Sequence, residues 1–372
     1  MSLRNLSGPS LRLACFISTS SRIRLPRLAP NQSPSLGQWR NQHNRPRRPL
    51  RSYQPPTPPQ PDQPVIPDTG DGRQIPDAEY AEFPQVRVRY LRPAIWALTV
   101  SGGIFTGLAY LEANKQIESQ KRRGWLQVPQ VQWSVPRQKF PTPTEVATTW
   151  WKDLNEVSKL SAGLVGINAA VHVSSFVVPR FWYTLWHLPA RNVNYTQFTS
   201  MFVHSGAMHI AFNMYALSNF MPIAGNTRLF EGNSYHLLSF YLSTGLISGF
   251  AQHLATLIPP SAHRKAIPEI FIRCGGASGA LFGILSVFCM QYPTAGLGLI
   301  FLPFSMEAQY FLPVIMLFDF VGMVRGYSFI NLGHAAHLSG AAMGIAYSHF
   351  DGKTNLWNPL VRFWNRQLQK QS

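Results

Sequence analysis

Gly275-Gly276-Ala277-Ser278-Gly279-Ala280-Leu281-Phe282-Gly283 sets two glycines before a serine that opens an apolar stretch. Asn331-Leu332-Gly333-His334-Ala335-Ala336-His337-Leu338-Ser339-Gly340-Ala341-Ala342-Met343-Gly344 sets a histidine at the start of the next apolar stretch but one. Glycine allows backbone turns that other residues resist, and a helix N-terminus points unpaired N–H groups at nearby negative charge. A serine there can attack a carbonyl while backbone N–H groups receive the oxyanion. Gly279 and Gly283 form one small face; Gly340 and Gly344, three and seven residues past His337, form another on nearly the same side as that histidine. Two small faces permit close helix approach, as a Ser–His hydrogen bond between separate helices requires. Taken alone, the GxSG run serves as well for helix packing, and a single membrane histidine as a packing residue. Together they point to a Ser278–His337 pair.

A third polar motif, His204-Ser205-Gly206-Ala207-Met208-His209-Ile210-Ala211-Phe212-Asn213, puts His209 and Asn213 four apart on one helix face. Both side chains can donate to an oxyanion; alone, they would read as helix–helix hydrogen bonds. Polar groups in lipid are costly unless paired, so three such motifs in apolar surroundings point to function.

Those surroundings read as membrane spans. Apolar segments cover Pro93–Leu111, Leu160–Val178, part of Phe198–Ala224, Tyr235–Leu257, Ala277–Tyr292, Ala308–Val324 and His334–Phe350. Several fall short of the roughly 20 residues that cross a bilayer, which local thinning tolerates. Charged residues make up 13% of the 372, against about 25% in soluble domains. The expected fold is all-α and polytopic: a six-helix core (160–350) preceded by one extra transmembrane helix (93–111). Counted from Leu160, the motifs open the second, fourth and sixth core helices. Alternate helices run the same way, so all three motifs lie in one leaflet.

Outside the core, 1–52 lacks acidic residues, carries many Arg and Ser, and has interspersed apolar residues, the composition of a mitochondrial targeting presequence. A basic arm for RNA or anionic lipid is the plainer alternative. Much of the +17 net charge sits there, so no nucleic-acid partner is expected. A Pro-rich linker (53–92), a polar loop (112–159) and a polar, amphipathic C-terminal tail (351–372), its Asn355–Leu368 on the membrane surface, complete the plan. Cys15, Cys274 and Cys289 make no disulfide framework. His334 and His337 lack the HExxH of zinc proteases; no metal and no cofactor are expected, and His334 reads as a helix-start or supporting residue.

GlyAlaSerGly at 276–279, AlaHisLeuSerGlyAlaAlaMetGly at 336–344 and HisIleAlaPheAsn at 209–213 resemble, in order, the signatures of the rhomboid family of intramembrane serine proteases. The resemblance covers roughly 160–350. The extra preceding helix and the presequence-like start resemble its mitochondrial inner-membrane branch. The resemblance implies Ser278 as nucleophile, His337 as general base, and His209, Asn213 and the Ser278 N–H around the oxyanion. Gly276 would shape the preceding loop, and Phe282 would lie against His337, where several bacterial members carry Tyr. The Trp-Arg loop motif of many members is not evident. The resemblance also implies a dyad without an obligatory acid, and single-pass inner-membrane substrates such as dynamin-like GTPase or peroxidase precursors. Asp319 could orient a histidine; pairing with Arg325 is the expectation. The competing readings are a catalytically inactive rhomboid-like membrane protein-binding factor, which should lack the serine or the histidine, and a transporter, for which no inverted repeat is visible.

Overall fold

The computed structural model describes residues 11–13, 84–123, 142–258, 267–299, 305–327 and 332–371. Apart from a three-residue strand, β1 (Leu11–Leu13), the expected presequence, most of the expected linker and positions 124–141 of the expected polar loop lie outside the described residues.

The first helix outruns its apolar stretch. α1 spans Leu91–Arg123, not 93–111, so the linker ends earlier than expected and 112–123 is helix rather than loop. Polar side chains sustain it by pairing: Gln116 Nε2 donates to Glu112 Oε1 at 2.7 Å, and Lys115 Nζ reaches Glu156 Oε2 at 2.6 Å. Before α1 the chain is extended and anchored. Arg89 N donates to Asn192 Oδ1 at 2.7 Å, and Asn192 Nδ2 donates to the Arg87 carbonyl at 3.1 Å.

The polar loop contains a second helix, α2 (Pro143–Asp153). Thr142 and Glu145 cap it reciprocally, with Pro143 at its first position. α3 (Glu156–Val177) starts ahead of Leu160 because Asn155 Oδ1 accepts the Ser158 N–H at 2.7 Å. The connection onward holds α4 (Pro179–Leu185), a turn at Pro189–Arg191 and α5 (Thr196–Thr199). α6 covers Ala207–Gly225. It fills the later part of the Phe198–Ala224 stretch, after a 3₁₀ turn at Ser200–Phe202 and non-helical residues as far as Gly206.

α7 (Ser234–Leu254), α8 (Ser278–Gln291), α9 (Ala308–Arg325) and α10 (His334–His349) complete the core. Among the described residues six core helices follow one extra helix, as the sequence predicts. A three-stranded ribbon is the departure from all-α: β2 (Gly296–Leu299) runs antiparallel to β3 (Ser305–Glu307) and parallel to β1. α1, α3 and α9 are long and apolar enough to cross a membrane by length and composition. α8, with 14 residues, measures about 21 Å. It is buried from Ser278 to Cys289, and a helix apolar all round belongs inside a bundle. α6 meets it through Phe220 and Phe288, ring centroids 5.5 Å apart.

The tail is helical and packs on α1. A π-helical turn at Lys353–Trp357 leads into α11 (Asn358–Gln369). Trp364 packs edge-on against Tyr110 of α1 at 5.3 Å, and Asn365 Nδ2 donates to Gln116 Oε1 at 3.0 Å. The polar end of α1 thus supports the C-terminus.

Candidate active site

The two glycine faces meet. A Cβ on Gly340 would overlap the Gly279 carbonyl oxygen, and one on Gly344 the Gly283 carbonyl oxygen. A Cβ on Gly279 or Gly283 would press into Ser248 or Thr244 of α7. α8 therefore meets α10 at backbone distance, with α7 side chains against the same glycines, and this contact sets Ser278 opposite His337. Ser278 Oγ donates to His337 Nε2 at 2.9 Å across the two helices.

The His337 ring is fixed on two sides. Phe282, one turn beyond Ser278, stacks on it at 4.2 Å between centroids and 7° between planes. Its Nδ1 donates to Asp319 of α9, at 3.1 Å from Oδ1 and 3.2 Å from Oδ2. The expected Asp319–Arg325 pair is thus replaced. The carboxylate turns inward to two histidines, the second being His334, whose Nδ1 lies 2.6 Å from Oδ1. A buried charge is tolerable when paired and hydrogen-bonded.

The residues expected as oxyanion donors stand on α6 and at the first turn of α8. Ser205 N–H donates to His209 Nδ1 at 3.3 Å. Because that nitrogen accepts, a neutral His209 carries its hydrogen on Nε2. A Cβ on Gly276 would lie 2.9 Å from this Nε2. Gly276 has φ 134°, outside the range of other residues, and its N–H donates to the Ser200 carbonyl at 2.9 Å. Asn213 Nδ2 gives one hydrogen to the His209 carbonyl at 2.8 Å and keeps a second. Ala277 caps α8 without a side-chain bond, which leaves first-turn N–H groups of that helix open.

The site opens into a cavity of about 520 Å³ lined by Ser278, His337, His209, Ser205, Gln252 and Trp186, among others. The sequence reading assigns no role to two contributors. His204 Nε2 accepts the Ala277 N–H at 3.4 Å and steadies the turn before Ser278. Gly322 leaves room for the His334 ring. Asp319, an acid inside an apolar segment, takes the histidine partners that the sequence allows rather than the expected Arg325.

The connection between α3 and α6 is tied to the segment before Ser278. His187 and Cys274 exchange backbone hydrogen bonds of 3.1 and 2.8 Å. The His187 side chain links Thr196 Oγ1 at 2.8 Å to His253 Nδ1 at 2.9 Å, and His253 Nε2 meets the Arg89 carbonyl at 2.7 Å. Burial, then the neighbouring His253, holds the His187 imidazole well below its ordinary pKa.

A helical membrane bundle with a serine and a histidine joined on facing small-residue helices is the arrangement to which known proteins can be compared. The rhomboid domain profile matches residues 191–354. The human presenilin-associated rhomboid-like protein, mitochondrial, is 30% identical over 285 residues, covering 70% of this chain and 68% of that one. The mouse protein of the same name shows the same identity and coverage. Rhomboid protein 1, mitochondrial, of Saccharomyces cerevisiae is 28% identical over 197 residues, 51% of this chain and 52% of that one. The chain belongs to the rhomboid family. More particularly, it is a mitochondrial rhomboid-like membrane protein.

Proposed function

We propose that this protein is an intramembrane serine endopeptidase of the mitochondrial inner membrane that cleaves single-pass membrane proteins in or beside their transmembrane helix. The carrying observation is the 2.9 Å hydrogen bond between Ser278 Oγ and His337 Nε2, with the imidazole stacked on Phe282. His337 takes the Ser278 proton as Oγ attacks the peptide carbonyl. A placed base contributes about 10²–10⁴-fold. The oxyanion is received by the Ser278 N–H, Asn213 Nδ2 and His209 Nε2, each worth about 10²–10³-fold in turnover. His337 then protonates the leaving amine, and water reaches the acyl-enzyme through the cavity.

A helical substrate hides its carbonyls in backbone hydrogen bonds, so cleavage needs local unwinding. Substrates with Gly or other weak helix formers near the bond are favoured. Single-pass precursors, such as those of dynamin-like GTPases or peroxidases, are the proposed partners. The test is reconstitution in proteoliposomes with a single-pass reporter. Ser278→Ala and His337→Ala abolish cleavage while leaving membrane insertion intact; cleavage surviving Ser278→Ala would remove the serine mechanism.

A further inference from the structure

A serine–histidine dyad does not by itself require an acid, yet Asp319 sits 2% exposed in the middle of α9, within hydrogen-bond distance of two histidines of α10. A carboxylate offers only acceptors. The hydrogens therefore lie on Nδ1 of both His334 and His337, and a neutral His337 is left with Nε2 as its acceptor. That nitrogen faces Ser278 Oγ.

We propose that Asp319, itself held by His334, is the positioning residue that keeps His337 in the tautomer and orientation able to take the Ser278 proton. It rests on the Ser278–His337 mechanism proposed above. As Oγ bonds to the carbonyl carbon, its proton passes to Nε2. The imidazolium keeps its Nδ1 hydrogen on Asp319, which stabilises the charge and takes no proton. Nε2 then gives its proton to the leaving amine as the C–N bond breaks. Water repeats the exchange on the acyl-enzyme and restores Ser278.

His334 has a prepared seat. Its ring packs edge-on against Tyr327 at 5.5 Å and Phe318 at 6.1 Å. A Cβ on Gly322 would collide with it. The Tyr327 hydroxyl donates to the Phe318 carbonyl at 2.9 Å and closes the seat. The shortest of the three contacts to the carboxylate is that of His334, so His334 fixes Asp319 and Asp319 in turn orients His337.

A purely structural tie between α9 and α10 would lower stability without a selective effect on turnover. The experiment compares full-length Asp319→Asn and His334→Gln with the parent protein in proteoliposomes. It reads kcat and KM on a single-pass reporter, the rate of Ser278 acylation by a fluorophosphonate, and the thermal midpoint in detergent. Asp319→Asn lowers kcat and acylation by about 100-fold or more with KM within about threefold, as loss of tautomer control does in serine triads. His334→Gln lowers kcat about tenfold with the same split. Parental kcat in folded Asp319→Asn, or a change confined to KM, overturns the proposal. Should Asp319→Asn fail to fold, His334→Gln decides, and unchanged kcat there overturns it. Ser278→Ala separates the two levels: dead Ser278→Ala with fully active Asp319→Asn removes only the role of Asp319, whereas active Ser278→Ala removes the serine mechanism.

Discussion

Gly340 lies so close to Gly279 that a Cβ on Gly340 would occupy the space of the Gly279 carbonyl oxygen. One residue before Gly279 is Ser278, and three before Gly340 is His337. The backbone contact is therefore the ruler for the hydrogen bond.

Gly340→Ala should force α10 off α8. Overpacking of this kind costs about 1–3 kcal/mol, and a displacement near 1 Å at the reacting atoms costs about 10²-fold in rate. Gly344→Ala, which meets the Gly283 carbonyl one turn deeper, should lower stability comparably and turnover less. Thermal midpoints in detergent and reporter turnover for both variants check the order.

Phe282 holds the His337 ring by a parallel stack at 4.2 Å. Phe282→Leu should cut kcat by about 10- to 100-fold, with a milder effect on stability than the roughly 3–5 kcal/mol of a large aromatic-to-Ala deletion. Phe282→Tyr should retain most activity, since the ring face is kept. Steady-state kinetics on the three proteins decides it.

Asn213 and His209 share one face of α6, with Nδ2 of Asn213 bound to the His209 carbonyl. Asn213→Ala should reduce kcat about 10²–10³-fold with little change in KM. His209→Ala should act likewise, and the double variant should lose less than the product of the two, because donors serving one charge are not additive. Equal losses in kcat and substrate affinity would argue against an oxyanion role.

The buried His187, outside the spanning helices, carries a pH signature. Its folded-state pKa is depressed by burial and by His253, so the unfolded chain binds a proton first as pH falls through the ordinary histidine range near 6.5. Stability is complete above that pH and is lost progressively below it. Thermal midpoints measured from pH 7.5 to 5 should fall for the parent protein and fall less steeply for folded His187→Gln.

Apolar segments and composition are enough to place α1 and the six core helices, because apolar runs in a chain poor in charge leave few alternatives. The helix-opening polar motifs and the i,i+4 glycines were equally plain, since local spacing alone decides which residues share a face. Helix ends were read less well. α1 continues to Arg123 because Glu156 and α11 reward its polar turns, and no local signal announces partners so distant in sequence.

The order of the motifs and the glycine spacing, carried in the sequence alone, determined that Ser278 and His337 should approach on facing helices. Only the tertiary structure decided where Asp319 points. A carboxylate in a helix can turn toward Arg325 along its own chain or toward α10 across the bundle. The choice depends on the rotation of α9 against His334 and His337 and on the room left at Gly322, and packing between helices fixes both.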